Sequence, residues 1–250
     1  GVVVNGHLGE LYLESHGVVF SPETARINEF SVKNTDVSLT LENMEDTDTT
    51  TTEPIYWKIL LDEIDFENVG FALNMPQDSL FVRTMLPKTT LKDGVIDLKE
   101  ASYYVKSFDM DNAELAYGPK EELSLKKIGL QLDSIYYCGR DIRANIEEFV
   151  FKERSGLELV STEGRIASDS VLIQIPKFTM KTTASSLDLQ TKIGWDVLEM
   201  KKTGVLSAKI NAEIGKGDVA KILGGRDTLF LQIYPNKPFV FRADAEGDLN

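Results

Sequence analysis

A single cysteine, Cys138, leaves no internal disulfide, so this chain is held by burial and hydrogen bonding without covalent staples; that does not by itself fix the compartment. Cations are outnumbered, 27 Lys and Arg against 40 Asp and Glu, and they are scattered along the sequence, which gives a net charge of −13. That balance excludes a nucleic-acid groove and a polybasic membrane-surface patch, both of which need clustered cations facing phosphate. No run reaches the roughly 18 apolar residues that span a bilayer. Catalytic signatures are missing too: there is no Gly-x-Ser-x-Gly, no phosphate loop and no dinucleotide fingerprint. His7 and His16 stand nine apart with no Cys or acidic pair beside them, and Cys138 next to Gly139 has no nearby His. The acidic run Asp109, Asp111, Asn112, Glu114 lacks the glycine and the Glu spacing of a calcium loop. The residues therefore read as a non-enzymatic protein without metal or cofactor.

What is present is a repeated pattern, Φ-x-Φ-x-x-Φ-x-Φ, in which Φ is apolar. Clear copies begin at Phe30 (Phe30, Val32, Thr35 in the third slot, Val37, Leu39), Ile64 (Ile64, Phe66, Val69, Phe71, Leu73) and Leu123 (Leu123, Leu125, Ile128, Leu130, Leu132). Looser ones begin at Ile96, Phe108, Ala144 and Ile173, the last running Ile173, Ile175, Phe178, Met180. A spacing of two is the period of a strand with one buried face. The central step of three throws the second half onto the other face of a flat strand, so a bulge, corner or twist has to restore the facing. Intervals between copies run from 12 to 34 residues, too uneven for a fixed-period solenoid.

The pattern predicts an all-β chain. Val2 to Phe20 reads as a hairpin-like pair of strands, and Ile27 to Leu41 follows as the first copy. Residues 45–54, Glu-Asp-Thr-Asp-Thr-Thr-Thr-Thr-Glu-Pro, read as a mobile acidic loop. Ile55 to Leu61 fits a helical turn or a strand. Strands are then expected at Ile64 to Leu73, Ser79 to Met85, Thr90 to Leu98, Ala101 to Phe108, Met110 to Tyr117, Leu123 to Tyr137, Ile142 to Lys152, Leu157 to Ile166 and Val171 to Lys181. Turns fall at Met75 to Asp78, Lys92-Asp93-Gly94, Gly118-Pro119 and Cys138 to Asp141. Later alternations cover Leu187 to Val197 and Leu206 to Ile214, and between them and the final strand one short helix is expected near 218–223, capped by Asp218 and ended by Gly224-Gly225.

So many one-faced strands bury that face against a second sheet, by closing a barrel, or as a long curved sheet folded into a trough (a β-groove or β-taco) whose lining takes acyl chains. An acyl chain gains about 0.8 kcal/mol per buried methylene, so a trough of this kind competes with a bilayer without trapping its cargo. Both ends break off inside alternating runs, which reads as one elongated segment, residues 1–250, of a longer chain.

Three stretches carry a family resemblance: the opening Asn5-Gly6-His7-Leu8-Gly9-Glu10-Leu11-Tyr12-Leu13, the Phe-x-Val-x-Asn and Ile-x-Phe-x-Asn-Val units, and Trp57-Lys58-Ile59-Leu60-Leu61-Asp62-Glu63-Ile64-Asp65-Phe66-Glu67-Asn68-Val69. With the Leu206 to Ile214 alternation, the Gly-Lys-Gly-Asp helix start and the terminal Ala-Glu-Gly-Asp-Leu, the chain resembles the AsmA-like/TamB family of Gram-negative envelope proteins over nearly its whole length. Asp48-Thr49-Thr50 resembles a short O-glycosylation signal used in the periplasm of Bacteroidetes. The resemblance implies a periplasmic β-groove, tied to the inner membrane by an N-terminal anchor outside this segment. It further implies that the segment conducts phospholipid to the outer membrane, serves outer-membrane assembly and has an outer-membrane β-barrel protein as partner. On that reading the lining is Phe30, Val32, Ile64, Phe66, Phe71, Leu73, Leu98, Phe108, Met110, Leu123, Leu125, Leu130, Ile146, Phe149, Phe151, Ile175, Phe178 and Met180. Two other readings use the same strands. One is a structural β-solenoid or β-sandwich adhesin with a closed core; the other is a carbohydrate-binding β domain using Trp57, Trp195, Tyr136 and Tyr137.

Overall fold

The computed structural model describes residues 2–20, 23–42, 56–118, 120–200, 204–224, 226 and 228–248; the expected loop at 45–54 lies outside them. The all-β class is borne out. In chain order the elements are β1 (Val2–His7), β2 (Glu10–Phe20), β3 (Glu23–Leu41), β4 (Lys58–Met75), β5 (Leu80–Asp97), β6 (Ser102–Tyr117), β7 (Leu123–Cys138), β8 (Asp141–Glu153), β9 (Glu158–Ser168), β10 (Leu172–Thr182), β11 (Ser186–Gly194), α1 (Trp195–Leu198), β12 (Val205–Ile214), α2 (Lys216–Leu223), α3 (Thr228–Ile233) and β13 (Phe239–Asp248). The chain forms two compact units, Gly1–Gly129 and Leu130–Asn250, and β7 passes from the first to the second. Within the first unit β1 and β2 both pair with β3 and the order continues β3-β4-β5-β6; within the second it is β8-β9-β10-β11-β12-β13.

In the first unit, β1 and β2 do not form the expected hairpin. They lie end to end along one edge of β3, β2 antiparallel to its first half and β1 antiparallel to its second. The join is tight: the Gly9 N–H donates to Thr35 Oγ1 at 3.1 Å, and a Cβ on Gly9 would stand 2.4 Å from the Asn34 carbonyl oxygen. β3 and β4 pair in parallel; β4, β5 and β6 are antiparallel.

The step of three is where these strands kink. Asn34, Asn68, Asp93, Asn112 and Lys127 sit inside β3 to β7 with φ between 49° and 55°, each in the second position of a two-residue step. Asn and Asp enter this left-handed region at the lowest cost among residues with a Cβ. The facing is restored as the pattern requires. Across the Asp93 step, a Cβ on Gly94 would lie 3.2 Å from Leu91 Cδ2 and 3.3 Å from Leu61 Cβ, so positions 91 and 94 share a side. Register is unbroken from strand to strand, so the kinks align into lines. One line runs Asn34, Asn68, Pro87, Asn112, and a second runs Asn28, Asp62, Asp93, Lys106. Asn68 Nδ2 donates to Asn34 Oδ1 at 3.0 Å and Asn28 Nδ2 to Asp62 Oδ2 at 2.8 Å, so side chains bridge the strands where ladder pairing lapses. Pro87 is tolerated mid-strand because it falls on such a line, where no ladder donor is needed.

Those kinks also explain two corrections. Ser79 to Met85 and Thr90 to Leu98 are one strand, β5, and Ala101 to Tyr117 is largely one strand, β6; Lys92-Asp93-Gly94 is a kink inside β5, with only Asp93 left-handed, and the chain does not reverse there.

In the second unit, β8 to β13 pair antiparallel in sequence order. In β10 the step of three is a bulge, whereas the step between Ile146 and Phe149 in β8 keeps register with β9. β10 gains one residue around Pro176, at Ile175–Pro176 against β9 and at Pro176–Lys177 against β11, and because Ile175 pairs with Thr191 and Phe178 with Leu189, Ile175 and Phe178 end on one face. β11 stops at Gly194 and the expected continuation to Val197 is instead the short helix α1. Trp195 is drawn out of the ladder: its Nε1–H donates to the Asp169 carbonyl at 2.7 Å, and the Arg140 guanidinium, paired to Glu199 at 2.6 Å, lies 5.1 Å from its ring centroid.

The helix expected near 218–223 is α2, and Gly224 ends it in the left-handed conformation as expected. Asp218 is not its cap; Gly215 holds that position without a side-chain cap bond. Asp218 is buried and instead accepts from the β10–β11 turn: Thr182 Oγ1, Ser185 Oγ at 2.7 Å, Thr183 Oγ1 at 3.2 Å and the Ala184 N–H at 3.3 Å. Gly215 passes so close to this turn that a Cβ would stand 2.2 Å from the Ala184 carbonyl oxygen. Helices α1 and α3 were not anticipated.

Candidate functional site

Residues that pair directly across a ladder point to the same side of the sheet, so the register defines rows of side chains running from strand to strand. In the first unit one row is Leu13, Phe30, Ile64, Leu91, Phe108, and the next is Leu11, Val32, Phe66, Thr89, Met110. Beyond the Asn line follow Val37, Phe71, Thr84, Leu115 and then Val4, Leu39, Leu73, Val82, Tyr117. The opposite face carries the charge, tied in pairs such as Lys33–Glu67 at 3.0 Å and Lys92–Glu63 at 2.9 Å.

The second unit repeats the arrangement. Ile146, Gly164, Phe178, Leu189, Ile210 and Ala243 form one row; Thr162, Met180, Leu187, Ala212 and Phe241 form another; Ile175 lines up with Thr191, Ala208 and Ala245. The Phe178 ring occupies the space over Gly164, where a Cβ would be 2.6 Å from Cδ2. On the other face, Arg165 Nε donates to Asn145 Oδ1 at 2.8 Å and Lys177 meets Glu163 at 3.9 Å; these side chains border an open depression of about 590 Å³.

The register thus brings together Phe30, Val32, Ile64, Phe66, Phe71, Leu73, Phe108 and Met110 in one unit, and Ile146, Ile175, Phe178 and Met180 in the other. Phe149 and Phe151 touch on β8, ring centroids 5.4 Å apart, with Phe151 opposite Leu159. Leu123 and Leu125 lie on β7 in the first unit and Leu130 on β7 in the second. Leu98 is outside the rows: it follows the end of β5, and its N–H donates to the Trp57 carbonyl at 3.0 Å. The rows also contain Leu11, Leu13, Leu91, Leu187, Leu189 and Ile210, which the motif alone did not single out, although the same period of two marks them.

These faces are poorly covered. Among the described residues no large side chain is fully buried, and the buried apolar set is Val32, Leu61, Ala113, Ala116, Ile128 and Leu159. Leu11 and Leu13 remain 55% exposed and Phe71 40%. Two hydroxyls in the rows, Thr89 Oγ1 and Thr162 Oγ1, are buried with no hydrogen-bond partner.

Among the described residues no cluster of His, Cys, Asp and Glu is arranged to hold a metal ion, and no helix is long and apolar enough to cross a membrane. His16 Nδ1 meets Asn28 Oδ1 at 2.5 Å, and Asp109 and Asp111 face Thr90 and Lys88 across the β5–β6 ladder. Compared with protein families, curated proteins and solved structures, the chain matches none.

Proposed function

We propose that this protein is a lipid-conducting segment whose apolar sheet face receives acyl chains in a trough, serving phospholipid transport to the outer membrane from a periplasmic position. The observation that carries the reading is the set of mainly apolar rows, with Thr84, Thr89, Thr162 and Thr191 among them, that cross strand after strand within each unit and keep Leu11, Leu13 and Phe71 exposed while the opposite face is charged. Exposing a face of Phe, Leu, Ile and Val costs about 25 cal/mol per Å², so a face kept open along several strands suits an apolar ligand lying on it. Acyl chains match it because the rows are aliphatic and aromatic and nearly free of donors. The family resemblance in the sequence supports the same reading, together with the inner-membrane anchor and the outer-membrane β-barrel partner it implies.

The test is direct. Purified protein should retain phospholipid or fatty acid detectable by native mass spectrometry, and should move fluorescent lipid between vesicles. Phe71→Asp and Leu125→Asp together should abolish transfer while circular dichroism remains that of the parent. A folded double variant moving lipid at the parent rate sinks the proposal, as does a lipid-free protein that takes up no fluorescent lipid.

A further inference from the structure

The connection from β12 to β13 carries α2 and α3, and α3 turns an aliphatic side to water. Leu229 and Ile233, four apart and therefore on one face of the helix, are 74% and 79% exposed, and Ile222 on the adjoining α2 is 69% exposed. A different side of α3 fastens it to the fold. The Phe230 and Tyr234 rings meet with centroids 5.7 Å apart, Tyr234 Oη donates to the Ile214 carbonyl at 2.9 Å, and Lys216 Nζ donates to Asn236 Oδ1 at 3.4 Å just beyond the helix. Asp218 holds α2 on the β10–β11 turn. The outward aliphatic side chains are thus presented by helices that are already anchored on another face.

Charge around them has the opposite sign to the chain as a whole. Residues 215–238 hold Lys216, Lys221, Arg226 and Lys237 against Asp218 and Asp227, a net charge of +2 inside a chain of −13. Asp218 is buried with Lys221 3.6 Å away, so it projects little negative field, whereas Arg226 and Lys237 are exposed. Aliphatic side chains standing in water beside outward cations match the interface of an anionic bilayer, apolar beneath and negative above. Two net charges fall far short of a polybasic patch, so insertion of the aliphatic side chains carries the attachment and the cations bias it toward anionic lipid. We propose that α2 and α3 dock the second unit on an anionic bilayer surface, with Leu229, Ile233 and Ile222 entering the acyl boundary and Arg226 and Lys237 lying among the headgroups. This proposal does not require that the apolar rows carry lipid.

In flotation assays the protein should rise with vesicles of phosphatidylglycerol and phosphatidylethanolamine, and bind vesicles of phosphatidylcholine alone more weakly. Leu229→Asp with Ile233→Asp should lower the partition by roughly tenfold or more. Both positions are exposed, so circular dichroism and thermal melting should stay those of the parent. Arg226→Gln and Lys237→Gln should each cost about fivefold on the anionic vesicles at low salt and leave binding to phosphatidylcholine unchanged. Bromine-labelled acyl chains should quench the tryptophan fluorescence of Ile233→Trp more than that of the parent. Lipid retained in native mass spectrometry should be the same in the Asp pair as in the parent, which separates docking from lipid held in the rows. A parent that floats with neither kind of vesicle overturns the proposal and leaves the face to a protein partner. A folded Asp pair that binds the anionic vesicles as the parent does overturns it too, because the attachment then runs through another surface.

Discussion

In β4 the step between Phe66 and Val69 is absorbed by Asn68 at φ 55°, with register kept on both sides; in β10 the step between Ile175 and Phe178 is absorbed by an extra residue, and register against β9 and β11 shifts by one. The same sequence signature therefore has two physical solutions. A left-handed kink conserves the count of residues, so each neighbour has to interrupt its ladder at the same level, as Asn34, Pro87 and Asn112 do. A bulge is private to one strand and asks nothing of the next. The first unit bends along shared lines, whereas β10 in the second adjusts on its own.

The largest effect is expected where the second unit depends on one side chain. Burial alone would raise the pKa of the Asp218 carboxyl, but the hydrogen bonds from Thr182, Ser185 and Thr183 and from the Ala184 N–H outweigh it, and the pKa lies below the usual Asp value. Asp218→Ala, which strands those donors, should cost about 3 kcal/mol in chemical denaturation. Because the folded pKa is the lower one, this stabilisation is fully present above the ordinary Asp range and is lost as pH falls through the folded value. Asp218→Asn should accordingly flatten the acid limb of the stability profile, and an unchanged limb would contradict the assignment.

Next comes the kink itself. Asn68→Val puts a β-branched residue at positive φ and removes the bond to Asn34, a loss of about 2 kcal/mol, while Asn68→Gly should stay within about 0.5 kcal/mol. Lys177→Val in the β10 bulge should also change stability by less than about 0.5 kcal/mol, since no left-handed residue is involved. Equal costs for Asn68→Val and Lys177→Val would erase the distinction between the units. Effects of the opposite sign should be alike in both units: Thr89→Val and Thr162→Val each remove an unpartnered buried hydroxyl and should stabilise by roughly 0.3 kcal/mol, measured by thermal melting.

The alternation of two and the need for a correction at each step of three were legible from the residues, and with them the all-β class, most strand positions from Leu123 onward, and the helix ending at Gly224. Strand continuity was not. Asp93-Gly94 carries the strongest short-range turn signal in the chain, yet only Asp93 turns left-handed, because pairing with β4 and β6 on both sides holds Gly94 in the ladder. The placement of β1 along β3 depends on partners remote in sequence, and so does Asp218, whose donors Thr182 and Ser185 lie more than 30 residues away. Trp195 kept the apolar alternation, but its indole N–H found a carbonyl outside the ladder, and periodicity carries no information about that. Among the row residues, Leu91 was hidden because β5 was read as two strands.

One pairing has a consequence for the order of assembly. From β4 to β6 each strand can be added to its predecessor through a short turn, so pairing spreads by local steps. The β3–β4 pair is parallel, and every partner in it is 34 positions away, as Thr24 is from Lys58. No turn delivers such a contact; the loop must close before any bond in the ladder forms. Completion of the first unit is thus gated by this one long-range closure, and the β4–β6 meander and the local β2–β3 pair should gain protection from hydrogen exchange before the β3–β4 ladder does.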